Sequence, residues 1–349
     1  MRPAAPGGRS HPSIGTDADE APTVLAGSVD VPGVVFRRFG AEGDTAAMVS
    51  VSRDSWRADG IEWSVSQEQI EDDLADRDPA RDLILVEGDG ELIGYGIVGL
   101  NARGQDRVVF YHSAHLLAPW RGRGIREALL AANERRVLEM AKGSRARTAT
   151  IECWAADEAN EWSSIVLGAG YQSSWHVVEM LRSDLERIPD VPLPTGLEVR
   201  SVHPDEMRLV WEARREGHRD EPSFSEDDFD DAAFERWVSG PGFRPDLWQV
   251  AWDGGSIAGM VLNVIDDDAN RALGRSRGLV EDVYVRPAYR RRGLGRALVA
   301  RSLRVHATHG MDEVGLDATA ENPHGAIRLY QSLGFAIERS FTFYRKSLV

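Results

Sequence analysis

The chain has 349 residues, enough for two cores of ordinary size, and is 42% hydrophobic and 28% charged, the balance of a globular protein. Its formal net charge of −15 argues against a generally basic face for nucleic acid or anionic membrane and suits a cationic or amine substrate. The single cysteine, Cys153, excludes a disulfide framework, the nine histidines show no metal-ligand spacing, and no apolar run reaches membrane-spanning length.

Residues 1–32 are polar, rich in Gly and Pro, and lack the apolar segment of a signal peptide; they are expected to form a disordered tail on a cytoplasmic protein. From 33 to 185 the periodicities predict strand 34–38, helices 41–56 and 67–75, strands 83–87, 92–100 and 108–117, helix 123–142, strand 148–154, helix 157–168 and strand 172–181. Cys153 falls on an apolar strand and is expected to be a buried thiol. Residues 186–195, ERIPDVPLPT, carry prolines at 189, 192 and 194, which fix an extended backbone and read as a linker. From 196 to 349 the order is strand 197–202, helices 204–218 and 225–239, and strands WQVAWDG and SIAGMVLNVI joined by a glycine turn. Strand 279–285, a helix from Leu294 to 308, strand 313–319, helix 323–332 and strand 336–346 follow. The two halves repeat one order, which predicts two copies of one mixed α/β unit, 33–185 and 196–349.

The most informative stretch is PAYRRRGLGRAL, residues 287–298, where Arg290, Arg291 and Arg292 run into Gly293-Leu294-Gly295 between a strand and a helix. A helix start leaves backbone amides unpaired, the helix dipole adds positive potential, and glycine lets a ligand approach the backbone closely. Such a junction binds phosphate. A Walker loop would need Gly-Lys-Ser/Thr, which is absent, and a dinucleotide fingerprint would need a third glycine where Leu298 stands. On these residues alone, an ordinary helix start and a dinucleotide site with Asp312 or Glu313 on the ribose stay open as alternatives.

The stretch resembles the pyrophosphate loop of the GNAT superfamily, the acyl-CoA-dependent N-acyltransferases. Arg290, Gly293 and Gly295 fill the pattern Arg/Gln-x-x-Gly-x-Gly/Ala, and Val285, Pro287 and Tyr289 fill the usual lead-in. Downstream, Asn322, Ala326, Leu329, Tyr330, Gly334 and Phe335 match a second motif of the superfamily. The resemblance covers 196–349 closely and 34–185 more weakly. It implies an α/β fold of two tandem GNAT-like domains, each a mostly antiparallel twisted sheet flanked by helices. It also implies an acetyl-CoA-dependent N-acetyltransferase that moves an acetyl group directly to a primary amine of a small molecule or peptide in the C-terminal domain, without a metal. Backbone groups of Val283, Tyr284 and Val285 would meet the pantetheine arm, with an N–H near Val283 polarising the thioester carbonyl. Arg290, Arg291, Arg292, Gly293, Leu294, Gly295 and Arg296 would hold the pyrophosphate, and Asn322 would cap helix 323–332 and touch the cofactor. Tyr330 matches the superfamily's proton donor to the leaving sulfur. Glu281 and Asp282, on opposite faces of a regular strand, supply one group to bind or deprotonate the amine.

The N-terminal copy departs from this pattern. Arg121 and Gly124 fall opposite Arg290 and Gly293, but Arg126 falls opposite Gly295, His112 and Ser113 opposite Glu281 and Asp282, and Val166 opposite Tyr330. This copy is expected to catalyse little or nothing; Arg121, Arg123 and Gly124 leave weak CoA binding open, and shaping the acceptor cleft is its other expected task. The tandem architecture is similar to that of the mycothiol synthase family, where catalysis is associated with the C-terminal copy; the resemblance does not extend to the substrate. Two fused copies are expected to stand in for the dimer that single domains form. The alternative to an enzyme is a non-catalytic CoA-binding or scaffolding protein built of two degenerate copies.

Overall fold

The computed structural model describes residues 29–348, except 41, 42, 76, 104, 105, 145, 220–223, 225, 241 and 323. The tail expected over 1–32 thus falls, as far as residue 28, outside the described residues.

The elements in the first half are β1 (Val34–Arg37), α1 (Asp44–Ala58), α2 (Gln67–Ala75), α3 (Pro79–Asp82), β2 (Leu83–Gly88), β3 (Glu91–Arg103), β4 (Arg107–Leu116), α4 (Ile125–Lys142), β5 (Thr148–Ala156), α5 (Asn160–Gly168) and β6 (Gln172–Arg182). Then come β7 (Glu198–Val199), α6 (Met207–His218), α7 (Asp231–Ser239), β8 (Gln249–Asp253), β9 (Ser256–Ile265), α8 (Asp267–Leu273), β10 (Arg277–Val285), α9 (Leu294–Thr308), β11 (Glu313–Thr319), α10 (Ala326–Gln331) and β12 (Ala336–Ser347). The order follows the sequence periodicities apart from two added helices, α3 and α8. The added helix α8 carries its own signals, since Asp266 caps it by accepting from the Ala269 amide and Gly274 ends it in the left-handed conformation. Among the described residues no helix is long and apolar enough to cross a membrane.

The chain divides into two compact units, one of Trp175–Ser340 and one that runs up to Ser174 and takes in the chain again from Phe341. In the first, the strands lie in the order β6-β11-β10-β9-β8-β7, with β10 and β11 parallel and the other pairs antiparallel. In the second, the order is β1-β2-β3-β4-β5-β12, with β4 and β5 parallel. Sequence order groups β6 with the first half and β12 with the second. The ladders differ: Val177–Arg182 pair with Val314–Thr319, and Phe341–Ser347 pair with Thr150–Ala156. The cause is that a strand's alternation states which side chains it buries and not which neighbour completes its hydrogen bonds, and the two closing strands occupy equivalent places in the repeat.

In the Trp175–Ser340 unit the sheet is covered on both faces. Leu294, Leu298 and Leu303 of α9 pack with Val280, Val314 and Leu316 on one face. Val210 and Ala213 of α6 pack with Trp248, Val250, Trp252 and Tyr284 on the other. α9 buries residues at helical spacing, Leu294, Leu298, Val299 and Ser302 among them, so its start is anchored at the end of β10 by its own apolar stripe. Cys153 is buried on β5.

Candidate active site

The chain leaves β10 at Val285, makes a single 3₁₀ turn over Pro287–Tyr289 and enters α9 at Leu294. Gly293 precedes the helix at φ 84° and no side chain caps it. Arg291 also has a positive φ, 60°, a conformation that costs a residue with a Cβ about 1 kcal/mol. The amides of Leu294, Gly295 and Arg296 open the helix, where no intrahelical acceptor is available. A Cβ at Gly295 would lie 3.4 Å from both Leu329 and Val285, so glycine keeps the approach to these amides open.

The Arg290 Nε donates to the Val285 carbonyl at 2.9 Å, and its Nη1 lies 3.1 Å from the His324 Nε2. Arg292 lies 5.8 Å from the centre of the Tyr289 ring, and the Arg296 Nε is 3.3 Å from the Ser332 Oγ. Among the described residues none of Arg290, Arg291, Arg292 and Arg296 is paired with a carboxylate, although acids outnumber Lys and Arg 56 to 41. Unneutralised guanidinium groups beside open helix amides make an anion site.

β10 and β11 run as a parallel pair only from Arg277–Val280 against Glu313–Leu316. Beyond that, β10 stays with β9 to Val285 while β11 stays with β6 to Thr319. The backbone of residues 281–285 therefore leaves the parallel ladder immediately before the glycine turn.

The register of β10 against β9 shifts between Val280 and Asp282, which makes Glu281 the extra residue of a β-bulge. Strict alternation, on which opposite faces for Glu281 and Asp282 were expected, does not hold across it. Val280, Val283 and Val285 all pack toward α9, while Tyr284 packs toward α6. Tyr284 is thus a core side chain, its ring beneath Gly217 of α6, and only its backbone is available to a ligand.

The bulge separates the two carboxylates in character. Asp282 is buried, 7% exposed, with its Oδ2 2.6 Å from the Arg214 Nε and its Oδ1 2.9 Å from the His218 Nε2. Burial opposes its charge, but Arg214 and His218 prevail and hold it well below the usual carboxylate range. Glu281 is exposed, and its pKa is raised, first by loss of solvation and then by the Asp282 charge. Its exposure tempers the first cause, because water reaches the carboxylate; the like charge one residue away sustains the direction. Arg214 and His218 escaped the sequence reading, although their i, i+4 spacing on α6 puts both on one helix face, free to share a partner.

Tyr330 lies on α10, 7% exposed, packed against Phe335 at a ring separation of 6.0 Å. Burial first, and then the Asp282 charge, raise its pKa, which keeps the phenol protonated at neutral pH. Asn322 does not cap the helix. α10 begins at Ala326 after Gly325, and the Asn322 Oδ1 accepts from the His324 amide two residues on, which closes a local turn instead. Residue 323, where the helix was expected to start, lies outside the described residues.

Residues 207–335 match the model of the acetyltransferase (GNAT) family. The chain is 28% identical over 309 residues to a mycothiol acetyltransferase of Thermobispora bispora, covering 87% of this chain and 96% of that one. It is 26% identical over 313 residues to one of Streptomyces avermitilis, covering 87% and 92%. Among solved structures it resembles a GCN5-related N-acetyltransferase from Sphaerobacter thermophilus, with TM-score 0.72, 24% identity, and coverage of 91% of this chain and 96% of that one. It also resembles a tandem GNAT protein from the clavulanic acid biosynthesis pathway, with TM-score 0.63, 16% identity, and coverage of 90% and 98%. Residues 207–335 therefore form an N-acetyltransferase domain of the GNAT family.

Proposed function

We propose that the chain transfers the acetyl group of acetyl-CoA directly to a primary amine, and that the transfer takes place in the Trp175–Ser340 unit. The observation that carries this reading is the turn at Arg290–Arg296, whose arginines lack carboxylate partners and whose helix amides are open, placed where β10 leaves its parallel neighbour. The turn would hold the pyrophosphate, and the edge of Val283–Val285 that faces away from β9 the pantetheine arm, with an amide near Val283 against the thioester oxygen.

Glu281 is the group suited to take a proton from the acceptor's ammonium: it is exposed and its pKa is raised. Asp282 is a poor base, because Arg214 and His218 hold it ionised; it positions the bulge and raises Glu281. The neutral amine forms the new C–N bond at the thioester carbonyl, and as the C–S bond breaks Tyr330 gives its proton to the sulfur; the second proton lost by the nitrogen restores the phenol, and Glu281 keeps the one net proton released. Holding the two reactants together supplies much of the rate. Relatives named mycothiol acetyltransferase favour a small-molecule amine of the mycothiol series as acceptor.

The test is an assay of CoA thiol release from acetyl-CoA with a panel of small amines that includes the mycothiol series. Amine-dependent release, lost in Gly295→Arg, is the expected outcome. CoA binding without release by any amine would replace the enzyme with a binding protein.

A further inference from the structure

In the unit that ends at Ser174 and resumes at Phe341, the turn equivalent to Arg290–Arg296 has an occupant. Glu161, in the first turn of α5, points its carboxylate at the turn before α4. Its Oε1 accepts from the Gly122 amide at 2.8 Å. Its Oε2 lies 3.1 Å from the Arg126 Nη1 and 3.8 Å from the Arg121 Nε. Asp59, just past α1, completes the neutralisation, 2.7 Å from Arg121 and 3.0 Å from Arg126. Arg126 is 3% exposed, and its Nε is buried with no partner, so the guanidinium is packed into the turn.

We infer that Glu161 is a resident anion: its carboxylate takes the place a cofactor phosphate would take, so this unit is a phosphate turn closed by its own sequence. The inference rests on reading the Arg290–Arg296 turn as a phosphate site. The two copies differ where they should. Gly122 stands at the place of Arg291, Arg126 at that of Gly295, and Glu161 at that of Gly325, which has no side chain to offer. The rest of the path is also filled. β4 leaves its parallel ladder with β5 after Tyr111, as β10 leaves β11 after Val280, but the next residue, His112, is buried against Trp162 at 5.9 Å and Tyr171 at 5.5 Å. The groove between α4 and α5 is lined by Glu127, by Glu134, which Lys346 pairs at 2.9 Å, and by no basic residue, so it offers a polyanion no cation. One acyl-CoA site per chain follows.

Removing the carboxylate should turn an internal ion pair into a vacancy that an inorganic anion can fill. Thermal unfolding of the full chain is compared for the wild type, Glu161→Ala and Glu179→Ala, with inorganic phosphate or with chloride at equal ionic strength. Glu179 is a control because its carboxylate is also held by arginines, Arg277 and Arg339, but away from any turn of this kind. Glu161→Ala is expected to lose several degrees, and phosphate to return at least half of that loss beyond any shift in the wild type; Glu179→Ala is expected to show no such return. Equal behaviour of the two variants overturns the inference. If Glu161→Ala does not fold, Glu161→Ala with Arg126→Gly leaves no buried guanidinium unpaired and is read in the same way. Failure of phosphate and CoA to bind the wild type would count against the Arg290–Arg296 site and leave the comparison of variants intact.

Discussion

Asp282 and Arg214 are joined at 2.6 Å on the face of β10 that packs against α6, and the partners lie 68 residues apart in the chain. The pair ties the bulge to α6 at the point where β10 leaves its parallel neighbour. Asp282→Asn removes one charge of a largely buried pair without changing its volume, which is expected to cost about 3 kcal/mol of stability. Urea unfolding of the variant and the wild type measures it; a loss under about 0.5 kcal/mol would show that the pair contributes no more than a surface one.

Glu281 and Tyr330 should separate chemistry from stability. Glu281→Gln leaves packing intact because the side chain is exposed, and Tyr330→Phe keeps the ring against Phe335. Each is expected to lower kcat about 100-fold with CoA binding unchanged. In kcat/KM the acid limb should lie above the ordinary glutamate range, since Asp282 raises Glu281, and Asp282→Asn should move that limb to lower pH. A limb that stays in place in Asp282→Asn would remove Glu281 from the role of base.

Arg291 holds a positive φ where the N-terminal copy has Gly122 at φ 70°. Arg291→Gly relieves that strain and is expected to raise stability by about 1 kcal/mol while weakening acetyl-CoA severalfold through loss of a cation. Melting temperature and KM for acetyl-CoA should therefore rise together. A fall in melting temperature would contradict the assignment of strain.

Three buried histidines predict acid sensitivity. Burial lowers His306 to about 4, and His112 and His115 to about 3, from an ordinary value near 6.5. The folded state keeps them neutral while the unfolded chain takes up protons, so their contribution is complete above pH 6.5 and is lost as pH falls from there toward about 4 for His306 and about 3 for His112 and His115. His306 alone accounts for a slope worth on the order of 3 kcal/mol across that window. Urea midpoints at pH 7 and pH 5 test this, and His306→Phe should flatten its share.

The glycine turn, the tyrosine on α10 and the order of strands and helices were legible in the residues themselves. Arg290–Arg296 sets its own backbone, because a left-handed glycine and a helix start depend on residues within one turn of each other. Three features were decided only in the folded molecule. VEDVYV reads as plain alternation, and the bulge at Glu281 is visible only against β9. The closing strands β6 and β12 carry equivalent patterns, and only the ladders show which sheet each completes. The carboxylate on the Gly122 amide comes from 39 residues away, and the cations on Asp282 come from 64 and 68 residues away. Local backbone conformation follows from side chains within reach of a single turn, whereas the charge held on Asp282 and the closure of the N-terminal turn depend on groups that the folded frame alone brings within 3 Å.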